Sequence, residues 1–246
     1  MRESGRLLVV GLIGAVLLSG CTSVESALEE ATAEPAPSWV PPVEAPRAAS
    51  ERGPGIAGRV DADWLAEVSE ATGIPERPLA AYAGVTLWKN STMPECVFSW
   101  TTIAAIAAVE SDHGRHAGSS VDAEGQVTPP IIGIALEGGD TDLISDSDGG
   151  ELDGDAEFDR AVGPFQLIPQ TWRNWHVDAN GDGVEDPQNI DDAAMAAVNY
   201  LCRASAPQDT EAGWRAAITA YNSAPSYIDA VARIAASYAA AASGED

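Results

Sequence analysis

Glu110 is a carboxylic acid in a position that indicates chemistry. It ends a row of apolar residues that recur at helical spacing, 4, 3, 4 and 3 residues apart: Cys96, Trp100, Ile103, Ala107 and Glu110. Burying a carboxylate there costs several kcal/mol unless it is paired or protonated. Desolvation raises the pKa of the carboxyl group, which suits a general acid near neutral pH. The residues favour equally a structural role, in which Glu110 forms an ion pair with Arg115 or Arg160.

Several other kinds of catalytic site are excluded because their motifs are missing. The sequence contains no G-x-S-x-G nucleophile elbow, no P-loop and no H-E-x-x-H metalloprotease motif. Glu110 and His113 have E-x-x-H spacing, but a di-iron bundle needs a second copy and two further acids. A zinc site formed by Glu110, His113 and His116 is disfavoured, because Gly114 between the histidines breaks the helix.

A second set of candidate ligands lies in an Asp- and Gly-rich segment that resembles an EF-hand loop. It supplies oxygens at loop positions 1, 3, 5 and 7 and a further carboxylate at position 15: Asp178, Asn180, Asp182, Val184 and Asp192. Gly183 stands at position 6, and Asn189 at position 12, where an EF-hand has a bidentate Glu. Hard oxygen ligands favour Ca²⁺. The alternative is an Asp/Gly turn in which Asp191 or Asp192 caps the next helix.

The elements that would position these residues are predicted to be helices. First-turn acids and a terminal glycine predict one helix from Asp61 to Gly73, and Pro78 suits the first turn of the next. Helical spacing continues over residues 97–112 and 189–202. Two further stripes follow: Trp214, Ile218 and Tyr221, then Tyr227, Val231, Ile234 and Tyr238. Only residues 131–136 suggest a strand, so the sequence predicts an all-α domain over residues 60–242.

Residues 122–160 interrupt the helical pattern with a Gly- and Asp-rich insert. It contains the runs Asp146-Ser-Asp-Gly-Gly and Asp153-Gly-Asp. Two interpretations stay open, a disordered acidic insert and an ordered loop whose carboxylates are neutralised by a cation. Carboxylates without a fixed framework are usually just solvated.

The charge of the chain restricts its partners. Its 246 residues include 13 Lys and Arg against 38 Asp and Glu, which gives a formal net charge of −25. Such a surface repels phosphate backbones and makes nucleic acid an unsuitable partner. The 45% of apolar residues suffices for a sizeable core.

Residues 1–20 are predicted to be a secretory signal peptide. Arg2 and Arg6 precede an apolar run at 7–18 that is too short to cross about 30 Å of hydrocarbon. Leu-Ser-Gly-Cys21 resembles the lipobox of bacterial lipoproteins, which implies cleavage before Cys21, its acylation, and attachment at the outer face of the cell membrane. The alternative is an uncleaved anchor or a plain secretion signal. Residues 21–59 form a Pro-, Ala- and Glu-rich linker in which no core is expected.

Cys96 and Cys202 remain when Cys21 is acylated. Both are predicted at helix ends, and an exported protein folds in an oxidising compartment. We therefore expect Cys96 and Cys202 to form a disulfide. The alternative is two separate buried thiols.

Four motifs, in this order along the chain, resemble the soluble lytic transglycosylase group and its membrane-bound B-type branch. They are Ile106-Ala-Ala-Val-Glu-Ser-Asp-His-Gly114, Ala161-Val-Gly-Pro-Phe-Gln-Leu-Ile-Pro-Gln-Thr-Trp172, Asp178-Ala-Asn-Gly-Asp-Gly183 and Ala220-Tyr-Asn-Ser223. The resemblance runs from about Asp61 to Tyr238. Phe165 and Leu167 stand where the family often has Met and Phe, apolar exchanges that bear on cleft shape more than on chemistry.

The resemblance implies a lysozyme-like helical domain that cleaves the β-1,4 bond between N-acetylmuramic acid and N-acetylglucosamine in peptidoglycan. It implies that Glu110 is the single acid and base, and that the muramyl C6 hydroxyl closes a 1,6-anhydro end. It places Gln166 on the cleft wall and Tyr221 and Asn222 near the acid. The structural alternatives are a loop amide bonded to backbone, a core tyrosine and a helix terminator. The B-type branch also implies a lengthened calcium loop that reaches Asp192.

Two other functions stay open at this point. One is a lysozyme-like muramidase, in which water replaces the C6 hydroxyl as the acceptor. The other is a non-catalytic lipoprotein that binds peptidoglycan as a scaffold. The expected partners are peptidoglycan strands and, through Cys21, the membrane, and we expect a monomer.

Overall fold

The computed structural model describes residues 39, 41–139, 141–203 and 207–244. The predicted signal peptide, the lipidation site Cys21 and the first part of the linker lie outside the described residues. Within the described part, no helix combines the length and the apolar composition that crossing a membrane requires. The predictions for residues 1–38 therefore stay predictions.

The described residues form mainly α-helices. They are α1 Ala62–Thr72, α2 Glu76–Thr92, α3 Trp100–Ser111, α4 Pro169–Trp175, α5 Ile190–Arg203, α6 Glu211–Tyr221 and α7 Pro225–Ser243. Short 3-10 helices cover Ala57–Arg59 and His116–Gly118. The helices expected from the sequence are present with ends shifted by a few residues, and α4 is an addition to them.

Helix α3 lies at the centre of the core. Ser99 caps its N-terminus by accepting a hydrogen bond from the amide of Thr101. Every residue from Trp100 to Ala107 is buried, and α2 and α7 pack against the helix. The sequence predicts one buried stripe along this helix, but the helix is buried on several sides, because its alanines let neighbouring helices approach closely. Cys96 lies before the first turn and does not belong to the helix.

Four short strands lie between α3 and α4. Strand β1 (Ser120–Val121) pairs antiparallel with β2 (Val127–Thr128), and β3 (Ile132–Ala135) pairs antiparallel with β4 (Arg160–Val162). The prediction of an all-α domain is corrected to a mainly helical domain with two small ribbons. Only β3 had a signal in the sequence, because strands of two or three residues are too short to show alternation.

The Gly- and Asp-rich insert is ordered by its own carboxylates. Asp146 accepts hydrogen bonds from the amides of residues 148–150. Asp159 is fully buried and accepts from both the amide and the hydroxyl of Ser147 at 2.8 Å. Carboxylates that bind nearby amides close tight turns. In the described residues of the insert, 122–139 and 141–160, these hydrogen bonds favour the interpretation as an ordered loop.

The C-terminal part of the predicted linker packs on the domain. A bridge between Ala48 and Val60 closes this segment into a loop. Ile56 within the loop is 3% exposed and belongs to the core, and Trp39 packs against the same core. The expectation that no core residue precedes residue 60 is therefore corrected. Prolines hold the segment extended, but they do not prevent single apolar side chains between them from packing.

Cys96 and Cys202 form the expected disulfide, with Cα atoms 5.5 Å apart. The bond joins the segment before α3 to the end of α5. A cross-link between residues 106 positions apart stabilises the fold by on the order of 4 kcal/mol through loop-closure entropy.

Candidate active site

Glu110 lies in the last turn of α3. Its Oε1 accepts a hydrogen bond of 2.6 Å from the hydroxyl of Tyr227, which lies in the first turn of α7. Burial raises the pKa of Glu110 to about 7, while the hydrogen bond from Tyr227 acts in the opposite direction. This carboxyl group can therefore gain and lose a proton near neutral pH. Its side chain is only partly buried, so a substrate can contact it.

Ion pairing does not account for Glu110. Arg115 pairs with Asp112 at 2.7 Å, and Arg160 pairs with Asp155 at 2.8 Å, so both expected partners are engaged elsewhere. Within the described part of the chain, burial raises the pKa of Glu110, the hydroxyl of Tyr227 lowers it, and no other charge contributes. The structure therefore disfavours the ion-paired helix end and leaves a lone, desolvated acid.

Ser111 and Gly114 fix the chain where α3 ends. Ser111 Oγ donates to the carbonyl of Pro164 at 2.7 Å and accepts from the amide of Gly114 at 2.9 Å. Gly114 has a φ of +82°, and a Cβ there would lie 2.7 Å from a methyl carbon of Val121. The residues that follow Glu110 thus attach its helix end to the loop at residues 163–166.

His113 is a buried packing residue. It is 2% exposed, and its Nδ1 and Nε2 lie 3.2 and 2.9 Å from the hydroxyls of Tyr82 and Tyr238. Burial lowers the pKa of His113 to about 4, so the ring is neutral at pH 7. Since both ring nitrogens face tyrosines, the geometry disfavours a zinc site with His116.

Tyr221 packs against Tyr227, the residue that is hydrogen-bonded to Glu110. Its hydroxyl donates to the carbonyl of Phe165 at 2.5 Å, and its ring stacks on Tyr227 with centroids 6.4 Å apart and an interplanar angle of 11°. Burial, and then the charge of Glu110, raise the pKa of Tyr221 well above its usual value. Tyr221 therefore packs in the core and also supports the residue that contacts Glu110.

Gln166 and Asn222 form hydrogen bonds with nearby backbone groups, as expected of a loop amide and of a residue that ends a helix. Gln166 Nε2 donates to the carbonyl of Gly163 at 2.9 Å, and a Cβ on Gly133 would lie 2.9 Å from Gln166 Oε1. Asn222 caps the end of α6, and its Oδ1 accepts from the amide of Ala224 at 3.0 Å. Their roles toward a substrate stay predictions.

Tyr227 is a site residue that the sequence reasoning did not select. In the sequence it belongs to the apolar stripe of the last helix, just after Pro225. The sequence does contain a signal for Tyr227: its hydroxyl group lies at the start of an apolar stripe, just as the carboxylate of Glu110 lies at the end of one. The hydrogen bond joins residues 117 positions apart, so only the crossing of α3 and α7 reveals it.

Two cavities of the described chain lie away from Glu110. One of about 950 Å³ lies between the segment 39–47 and helices α1 and α7, with Trp64 and Trp100 in its wall. The other, of about 360 Å³, lies between residues 53–59, α2, α5 and the predicted calcium loop. Since Glu110 lines neither cavity, its accessibility rests on its own partial exposure.

The predicted calcium loop folds around two carboxylates. Asp178 Oδ1 accepts from the amide of Gly181 at 2.7 Å, and its Oδ2 accepts from Gly183 at 2.9 Å. Asp192 is fully buried, and its Oδ1 accepts from the amide of Ala179 at 2.7 Å. Burial raises the pKa of Asp192 to about 6, and the charge of Asp178 adds to the shift.

The donor set of this loop fits a hard cation. Asn180 and Asp182 add oxygens beside Asp178, and in the described residues no Lys or Arg pairs with the carboxylates of Asp178, Asp182 or Asp192. Asn189 is engaged elsewhere, since its Nδ2 donates to the carbonyl of Glu124 at 3.2 Å. A buried acid beside a second acid is the arrangement that a divalent cation relieves.

A second acidic group lies in the insert. Ligand oxygens of Asp146, Asp148 and Asp159 lie within 4.8 Å of one another. Both oxygens of Asp159 already accept hydrogen bonds from Ser147. The insert's own donors thus satisfy this group in part, and the cation proposed for it from the sequence stays a prediction.

A mainly helical domain with one desolvated carboxyl group is the arrangement of lysozyme-like enzymes. The pattern of the family described as Transglycosylase SLT domain matches residues 95–242, which include Glu110, Gln166 and Tyr227. The chain belongs to this family, whose members are lytic transglycosylases that cleave the glycan strands of peptidoglycan. No curated protein and no solved structure is a significant match to the chain.

Proposed function

We propose that the protein cleaves the β-1,4 bond between N-acetylmuramic acid and N-acetylglucosamine and leaves a 1,6-anhydro end. Neutral Glu110 donates its proton to the glycosidic oxygen while the bond between that oxygen and C1 breaks. The resulting carboxylate accepts the proton of the muramyl C6 hydroxyl as O6 bonds to C1. Glu110 is thereby protonated again, and no water is consumed.

The observation that carries this proposal is the solitary environment of Glu110. Its pKa is about 7, and no second carboxylate contributes to that shift among the described residues. Most glycosidases use two carboxylates, but a substrate acetamido group can stabilise the oxocarbenium-like centre in place of one. Tyr227 supports the first half of the reaction, because a hydrogen bond that stabilises the carboxylate favours release of the proton.

Digestion of purified sacculi tests the proposal with the wild type, Glu110→Gln and a matched control, Asp112→Asn. Asp112 is an exposed carboxylate two residues away, and asparagine tolerates its φ of 51°. The wild type and the control should release fragments one water lighter than hydrolytic products. Glu110→Gln should release about a thousandfold less, since general acid–base catalysis contributes that order of rate.

Each other outcome of that digestion identifies a different function. Equal release by Glu110→Gln and the wild type would contradict the assignment of the acid. Fragments of hydrolytic mass would make water the acceptor and the protein a muramidase. Binding of sacculi without any release by the wild type would indicate a non-catalytic scaffold.

The substrate contacts are proposed for Gln166, Tyr221 and Asn222. Amide and hydroxyl groups supply neutral hydrogen bonds that suit an uncharged sugar. Asn222 uses Oδ1 within the protein, which directs the proposal to its amide nitrogen. Gln166→Ala and Asn222→Ala should raise KM on sacculi, and an unchanged KM in both would exclude them as substrate contacts.

A bound Ca²⁺ is proposed for the loop at residues 178–192, in the manner of the B-type branch. The proposed ligands are the oxygens of Asp178, Asn180, Asp182, Val184 and Asp192. The ion would serve stability, since these residues make no described contact with Glu110.

The proposed location is the outer face of the bacterial cell membrane, through acylated Cys21. The support is the run of residues 1–21, as described from the sequence. Labelling with a radioactive fatty acid should mark the wild type and spare Cys21→Ala. Incorporation into both proteins would contradict this anchor.

A further inference from the structure

The turn at residues 53–58 contacts the predicted calcium loop directly. The amide of Ile56 donates a hydrogen bond of 2.9 Å to the carbonyl of Ala179. Gly55 has a φ of +62°, and a Cβ on it would lie 2.6 Å from the carbonyl oxygen of Asn180. Ala179 and Asn180 occupy positions 2 and 3 of the loop, so the turn lies against the first part of the predicted ligand set.

The turn itself is held firmly by the domain. The amide of Gly53 donates to the carbonyl of Gly58 at 2.7 Å, which closes the turn. Helix α2 approaches it so closely that a Cβ on Gly84 would lie 2.3 Å from the carbonyl oxygen of Ile56. The side chain of Ile56 is 3% exposed. The turn therefore forms a rigid support between α2 and the loop.

The loop is bonded on both sides of Ala179. The amide of Ala179 donates to Asp192 Oδ1 at 2.7 Å, while its carbonyl accepts from Ile56. The chain at this point thus lies between a buried carboxylate from α5 and the turn. If the turn moved, Ala179 would lose one of its two backbone bonds, and the backbone of Asn180 would lose its packing partner.

We infer that the turn at residues 53–58 is a structural part of the calcium site, although it comes from the end of the predicted linker. It holds Ala179 and Asn180 in the conformation that binds the ion. Thermodynamic linkage makes the effect reciprocal: the factor by which the docked turn raises calcium affinity is the factor by which calcium favours docking. This inference rests on the proposed calcium site.

Calcium titration of the full chain in detergent, followed by calorimetry, tests the inference. Gly55→Ala places a methyl group against Asn180 and should weaken calcium binding at least tenfold. Gly73→Ala is the matched control, because Gly73 also has a positive φ, +72°, but a Cβ there meets nothing within 4 Å. The control should bind calcium as the wild type does. Equal affinity in Gly55→Ala and the wild type would overturn the inference.

Hydrogen exchange of the Ile56 amide gives a second test that needs no variant. Calcium should slow this exchange in the wild type at least tenfold, because the amide is bonded to the loop. If the protein binds calcium but the amide of Ile56 exchanges at the same rate with calcium and with a chelator, the inference about the turn is wrong and the proposed calcium site still stands. Absence of calcium binding by the wild type would instead overturn the proposed site on which it rests.

Discussion

Two opposing influences set the acidity of Glu110. Burial favours its neutral form, while the hydroxyl of Tyr227 favours the carboxylate. Burial also raises the pKa of Tyr227 far above its usual value, so this hydroxyl stays protonated and remains a donor. An acid that must release a proton and then accept another needs both forms within reach. The pairing of a desolvated carboxyl group with one neutral donor provides this.

Tyr227→Phe should slow cleavage about tenfold or more and move the basic limb of the pH profile to higher pH. The lost hydrogen bond stabilises the carboxylate, and bonds to charged groups are worth about 1.5–3 kcal/mol. Without it the pKa of Glu110 rises further. Tyr221→Phe is the control for the pH profile alone, since its hydroxyl donates to Phe165 and not to the acid. An identical basic limb in Tyr227→Phe and the wild type would contradict this role.

Glu110→Gln should also change how stability depends on pH. The folded pKa of about 7 exceeds the ordinary value of 4.5, so the folded wild type binds more protons between these values. Its stability is complete below pH 4.5 and falls as pH rises through 7, by up to about 3 kcal/mol. Glutamine removes this loss. The free energy of unfolding in urea should therefore be higher for the variant than for the wild type, and the difference should be largest at pH 8. A gain independent of pH would contradict the shift, and Asp112→Asn serves as the control.

At the scale of elements, α3 and the loop at residues 162–167 determine where the acid lies. Buried alanines along α3 let α2 and α7 approach it closely. The loop is joined to α3 through Ser111 and Pro164, and to the segment before α5 through Gly163. Through Ser111 and Pro164, the end of α3 and the loop that carries Gln166 hold each other in place.

Gly163→Ala should destabilise the fold by about 3 kcal/mol or more. Its φ is +74°, and a Cβ would lie 1.9 Å from the carbonyl oxygen of Pro187, so backbone must move. Gly118→Ala separates strain from contact, because Gly118 has a φ of +88° with nothing within 4 Å. It should cost only about 1–2 kcal/mol. Similar urea midpoints for the two variants would show that the close approach to Pro187 is unimportant.

The sequence predicts those elements whose signal is local. Periodicity and end signals predict the helices α1 and α3, and a motif predicts the candidate acid Glu110. The predicted positions of Cys96 and Cys202 at helix ends, in an exported protein, predict their disulfide. The hydrogen bond to Tyr227 does not follow, because it depends on how two distant helices cross. For the insert the sequence leaves two interpretations open, because the choice between them depends on its carboxylates binding their own backbone amides.

At the scale of the whole molecule, calcium removal should lower the melting temperature. A ligand at a hundred times its Kd stabilises the folded state by about 2.7 kcal/mol, which is about 5–10 °C for a domain of this size. Scanning calorimetry with excess calcium and with a chelator measures the shift. Asp178→Asn/Asp182→Asn should melt at the chelated temperature under both conditions. Equal melting of the wild type with and without chelator would exclude a stabilising ion.

The first described residues contact the folded part far from the candidate acid. Trp39 and Trp100, the first residue of α3, line the same cavity, whereas Glu110 lies ten residues further on, about 15 Å along the axis. The segment at residues 39–47 therefore meets the domain near the end of α3 that lies away from Glu110.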